Sequence, residues 1–156
     1  MKFFHVGERV LLTLWVGGLW AIGYIAAPTL FALLEDKSLA GNLAGQMFHI
    51  MSYIGLVCGS LLLISVFKRT RFQWQVWLLL LMLFIVASSE FILQPMMEAL
   101  KAQGLLEGSA VKKQFGILHG VASTLYLIVS IGGLSLVVFG LGEPDASSDD
   151  DSVADD

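Results

Sequence analysis

Charged residues divide the chain into long apolar stretches. None lies between Arg9 and Glu35, from Ser38 to Phe67 or from Gln114 to Gly142, and the stretch from Phe72 to Met97 holds one, Glu90. Each stretch exceeds the roughly 20 residues that carry an α-helix across about 30 Å of hydrocarbon. Lipid offers the backbone no hydrogen bonds, so such stretches must be helical. Barrel strands would be about half as long and would alternate; the run from Leu78 to Leu83 does not. The pattern predicts an all-α, polytopic membrane protein, a four-transmembrane-helix bundle with helices at about 7–34, 42–67, 73–99 and 114–141. Lys2 and Arg9 flank the first apolar run as they would in a signal peptide. That run is too long, and Ala26-Ala27-Pro28 is a poor cleavage site, so it is expected to be a retained first helix.

Within these helices, polar and small residues recur at helical spacing. Helix two carries Asn42, Gln46, His49, Ser52 and Tyr53 on one face, and helix three carries Glu90, Gln94 and Glu98. Helix four lines up Gly116, His119, Ser123 and Ser130; helix one offers Thr13, Gly17, Trp20 and Tyr24 ahead of Pro28. Exposed polar groups are costly in lipid, so these faces are expected to turn inwards, leaving Leu, Ile, Val and Phe outside. The pairs Gly55/Gly59, Gly116/Gly120 and Gly17/Ala21 suit close helix contact, with ordinary packing as the plain reading. Trp15, Trp20, Trp74 and Trp77 are expected to serve in part as interfacial anchors.

Composition supports the same class. Of 156 residues 56% are hydrophobic and 14% charged, where a soluble domain carries about a quarter charged. A disordered chain, a basic nucleic-acid binder and a disulfide-stapled secreted domain are excluded, and the lone Cys58 forms no thiol pair. The net charge of −4 mixes two regions: Glu143 to Asp156 holds seven acidic residues and no basic one, while the rest holds nine basic against six acidic, a balance of +3. Residues 1–142 thus form the transmembrane domain, and 143–156 are expected to be a disordered, solvated acidic tail.

The expected connections are Glu35 to Gly41, the cationic turn Lys68-Arg69-Thr70-Arg71, and Lys101 to Lys113 with room for a short surface helix. An even number of helices puts both termini on one side with that turn. Five Lys and Arg there face four on the other side, and the clustering in the turn favours a cytoplasmic assignment. The opposite surface is the outer side below.

At a rise of about 1.5 Å per residue, His49 lies roughly 10 Å, His119 roughly 8 Å and Glu90 roughly 12 Å below the outer surface. Ionisable groups at such depth are functional candidates. Three readings stand. His49 and His119 bind a haem, or a transition metal with Glu90 as third ligand, and Met47, Met51, Met96 and Met97 lie near enough to serve a soft ion. Alternatively Glu90 and the histidines relay protons or ions. Or they hydrogen-bond one another together with Gln46, Gln94 and Ser123 and fix helix register. His49 and His119 are not an i, i+4 pair, so no zincin motif is present.

The segment Ser88-Ser89-Glu90-Phe91-Ile92-Leu93-Gln94-Pro95, followed by Phe115-Gly116-Ile117-Leu118-His119-Gly120, resembles the transmembrane protein 205-like family, which includes many bacterial membrane proteins labelled as a domain of unknown function. The first helix, from Trp15 to Pro28, is similar to its bacterial members. The resemblance covers nearly the whole chain except the acidic tail. It implies a four-helix integral membrane protein with no agreed activity, and a looser likeness in layout reaches membrane haem proteins, onto which only His49 and His119 carry over. Likeness of fold cannot establish function. The expected protein is a bacterial inner-membrane protein with both termini cytoplasmic. Its partners are the lipid bilayer and other membrane proteins or itself, not nucleic acid. Its role is a non-enzymatic assembly or partner-binding one, the alternatives being haem or metal binding through His49 and His119 and a small transporter or channel subunit with Glu90 in the pathway.

Overall fold

The computed structural model describes residues 2–69, 73–106 and 108–141, with the side chains of 2–5 and 69 left out. The acidic tail, Thr70 and Arg71 of the cationic turn, and Glu107 lie outside the described residues. Every regular element among the described residues is helical: α1 (Lys2–Trp20), a π-helical turn (Ala21–Ala26), α2 (Ala27–Leu33), α3 (Lys37–Arg69), α4 (Trp74–Ser88), a second π-helical turn (Ser89–Leu93), α5 (Gln94–Ala102) and α6 (Ala110–Phe139). They compose four spans long and apolar enough to cross a membrane: Val6–Leu33, Lys37–Lys68, Trp74–Ala102 and Ala110–Phe139. The protein is an integral membrane protein. Spans of 28 to 32 residues rise about 42 to 48 Å, more than the hydrocarbon thickness, so their ends reach the headgroups or the helices tilt.

Two helices start earlier than the apolar pattern predicts, because polar caps sit outside that pattern. Asp36 Oδ1 accepts from the Ser38 and Leu39 amides at 2.8 and 3.1 Å, which starts α3 at Lys37 rather than residue 42. Lys37 Nζ reaches back to the Phe31 and Leu34 carbonyls at 2.7 and 3.0 Å and closes the end of α2. Ser109 Oγ accepts from the Lys112 amide at 3.1 Å, so α6 begins at Ala110 rather than 114. The third connection is a short loop, without the surface helix for which the sequence left room among its described residues.

Trp15 is the centre of the core and wholly buried, which corrects its reading as an interfacial anchor. Its ring lies in a notch that Gly55 and Gly59 open on α3, and Leu62, Leu79, Met82, Val129 and Leu136 belong to the same buried cluster. Lipid tails are as apolar as Leu, so this contact is held by close packing rather than by exclusion of water. Trp20, Trp74 and Trp77 stay exposed, as anchors would.

The expectation that all four polar stripes turn inwards is not met. Glu90 and Ser130 are buried, but Asn42, Gln46, Tyr53, Glu98, Gly116, His119 and Ser123 are exposed, as are Thr13, Gly17, Trp20 and Tyr24. The physical reason is local. Ser123 Oγ donates to the His119 carbonyl at 2.8 Å, Thr124 to Gly120 at 2.9 Å and Ser135 to Ile131 at 2.9 Å. A hydroxyl satisfied by its own helix faces lipid at little cost, so periodicity alone does not turn it inwards.

Candidate functional site

Prolines shape the site. Pro28 and Pro95 lack an N–H, and each ring crowds the carbonyl four residues before it. In both spans the helix widens into a π turn just ahead of the proline. The widened bond is made by the preceding residue, Ala27 N–H to the Ile22 carbonyl and Gln94 N–H to the Ser89 carbonyl. The sequences are Gly23-Tyr-Ile-Ala-Ala-Pro28 and Glu90-Phe-Ile-Leu-Gln-Pro95. The chain is therefore two hairpins, each opening with a span broken in the same place. π turns are frequent at functional sites.

Each break receives a polar side chain from the other hairpin. Tyr126 of α6 enters the first π turn, where its hydroxyl donates to the Leu19 carbonyl and also hydrogen-bonds the Gly23 backbone. In a regular helix Leu19 and Gly23 would bond each other, so the hydroxyl is wedged into the ladder. Only glycine allows it: a Cβ at Gly23 would stand 2.4 Å from the Tyr126 ring. Phe48 packs edge-on against Tyr126 with ring centres 5.2 Å apart. Reciprocally, His49 of α3 meets the second π turn, its Nδ1 in contact with Glu90 Oε1. Both stand 12 residues from the outer ends of their helices, Lys37 and Ala102, about 18 Å.

The pair is asymmetric in exposure: the Glu90 side chain is 6% exposed and that of His49 44%. The Tyr53 ring, one turn deeper, meets the His49 ring edge-on at 5.0 Å, and Phe91 stands 6.4 Å beyond it. Towards the outer surface, Gly45 faces Gln94, with Lys101 above it; Lys101 Nζ pairs with Glu98 at 2.8 Å.

The other predicted residues lie apart. His119 is exposed and stacked on Phe115, with ring centres 6.0 Å apart and planes 9° from parallel. Among the described residues no hydrogen bond, ion pair or ring contact joins His119 to His49 or Glu90, and no three His, Cys, Asp or Glu side chains converge there as metal ligands would. Gln46 is exposed, Gln94 half-buried, and Ser123 is tied to its own helix. Met51 is a core residue against Gly18. Sequence reasoning missed Tyr126 and Gly23, whose signal was the equal spacing of Gly23 and Glu90 from the two prolines. It also passed over Glu8, buried at the inner end of α1, which accepts from Ser65 Oγ at 2.6 Å.

A family model described as a domain of unknown function (DUF4149) matches residues 10–105, and the chain belongs to that family. The matched region holds the first span from residue 10 onwards, the next two spans, both π turns, His49 and Glu90. No curated protein matches the chain, and no solved structure does.

Proposed function

We propose that this DUF4149 membrane protein is a non-enzymatic assembly or partner-binding subunit that docks another transmembrane helix against α6. One observation carries the reading. Among the described residues nothing stands within 4 Å of where a Cβ at Gly116 or Gly120 would be, and His119 between them is exposed. Small residues four apart let helices approach closely, and an imidazole at membrane depth gains by finding a partner. Inside the chain, Gly55 and Gly59 form the same kind of face and are filled by Trp15. The α6 face is unfilled.

We further propose a bacterial inner membrane with both termini cytoplasmic, a reading supported by the Lys and Arg residues clustered where α3 ends at Lys68 and Arg69, and a likeness to the transmembrane protein 205-like family. The test is affinity purification of the tagged full chain after membrane cross-linking, with Gly116→Ile and Gly120→Ile. Bulky side chains should lower recovery of the cross-linked species at least about ten-fold, equivalent to about 1.4 kcal/mol. Undiminished recovery from both variants would overturn the docking role of α6.

A further inference from the structure

We infer that His49, aligned by Glu90 and walled by Tyr53 and Phe91, binds the hydroxyl of a membrane-dissolved phenolic headgroup, a quinol. This site is independent of the α6 face. It rests on what the paired imidazole leaves over. His49 Nδ1 is committed to Glu90. A carboxylate that accepts a hydrogen bond from Nδ1–H holds the ring in one orientation and makes the other nitrogen a better acceptor. That nitrogen, Nε2, has no hydrogen-bond partner among the described residues, and the side chain carrying it is 44% exposed. It stands about 18 Å from the outer end of α3, where the surroundings are acyl chains.

Acyl chains offer no donor, so an accepting nitrogen there forfeits a hydrogen bond. A molecule dissolved in the bilayer that carries an O–H supplies one. The neighbouring surface selects the rest of that molecule. Tyr53 and Phe91 are exposed by 47% and 60% and stand edge to face. They present ring surface on which a flat aromatic headgroup packs. The Tyr53 hydroxyl, also unpartnered among the described residues, adds a second polar contact. An aromatic ring with hydroxyls on an isoprenoid tail meets each requirement. A phospholipid does not, because its headgroup stays at the interface, shallower than His49.

The probe is a short-chain ubiquinol, titrated into the full chain in nanodiscs of synthetic phosphatidylcholine, with empty nanodiscs subtracted for partitioning. Binding should saturate. His49→Leu removes the accepting nitrogen and should weaken binding about ten-fold. Glu90→Gln should weaken it less. The dimethyl ether of the same quinol keeps the ring and tail but donates nothing. With the unaltered protein, which needs no variant to fold, it should bind at least about ten-fold more weakly. Binding of the ether equal to that of the quinol overturns the proposal, as does uptake no greater than that of empty nanodiscs. If the quinol binds while the α6 variants keep their cross-linked species, the site stands and the docking reading alone falls.

Discussion

Replacing Gly59 with alanine tests the core directly. A Cβ at that position would stand 2.7 Å from the outer ring atoms of Trp15 and 2.8 Å from a methyl of Leu83. Real Cβ contacts are wider by about an ångström. Leu83 ends in a methyl that can turn aside; the indole cannot, because Gly55 opposes the same ring, its own Cβ position only 2.5 Å from Nε1. The indole must slide along the notch or the helices must part. Overpacking of this kind costs about 1 to 3 kcal/mol. Trp15 Nε1 has no acceptor among the described residues, so the shift breaks no hydrogen bond and the cost is one of packing alone. Shortening the ring should therefore relieve it. Unfolding by a denaturing detergent, followed by circular dichroism on the single and double variants, measures both effects. Gly59→Ala should destabilise by about 1 to 3 kcal/mol, and in the Trp15→Phe background by less than half as much. A cycle in which the two changes simply add, within about 0.5 kcal/mol, would mean that Trp15 does not occupy the notch.

Two further outcomes follow from the same contacts. Tyr126→Phe removes the hydroxyl from the first π turn, leaves the Leu19 carbonyl short of a donor and should cost about 1 to 3 kcal/mol in the same unfolding assay; Gly23→Ala, which collides with the ring itself, should cost no less, and a neutral Tyr126→Phe would contradict the wedge. With the buried Cys58 replaced by Ala, single cysteines at Glu35 and Gly104 should react with an impermeant thiol reagent from the same side of sealed vesicles, because two spans separate these loops; labelling from opposite sides would break the two-hairpin order.

How much of this the sequence discloses depends on what each signal reports. Charges are expensive in lipid, so their absence marks the four spans plainly. Helix starts are less visible, because Asp36 and Ser109 do their work with one oxygen each and belong to no apolar pattern. A helical stripe says that residues share a face and nothing about which way it points. Ser123 and Glu90 look alike in periodicity, yet one is satisfied on its own backbone and exposed while the other is buried against His49. Trp15 looked like an anchor because tryptophans favour interfaces; the notch that claims it lies forty residues further on. Depth along a helix is the better guide, since rise per residue is a property of every helix. It put His49 and Glu90 at one level, where they meet. It put His119 at a similar level and could not say that its face points away from the pair.

The two breaks also explain why one half of the molecule is chemically closed and the other open. Both prolines force the same widening and free the same stretch of ladder. In the first hairpin the residue five before the proline is Gly23, so a tyrosine enters and satisfies the backbone from within. The break is thereby used up as a structural joint. In the second hairpin that residue is Glu90, which is buried and whose carboxylate engages His49 instead. A hydroxyl can both donate and accept and leaves nothing over; an imidazole holding a carboxylate with one nitrogen still has another. The difference between a joint and a site thus reduces to a glycine in one hairpin and a glutamate in the other, with the membrane supplying the requirement that the second nitrogen not go unused.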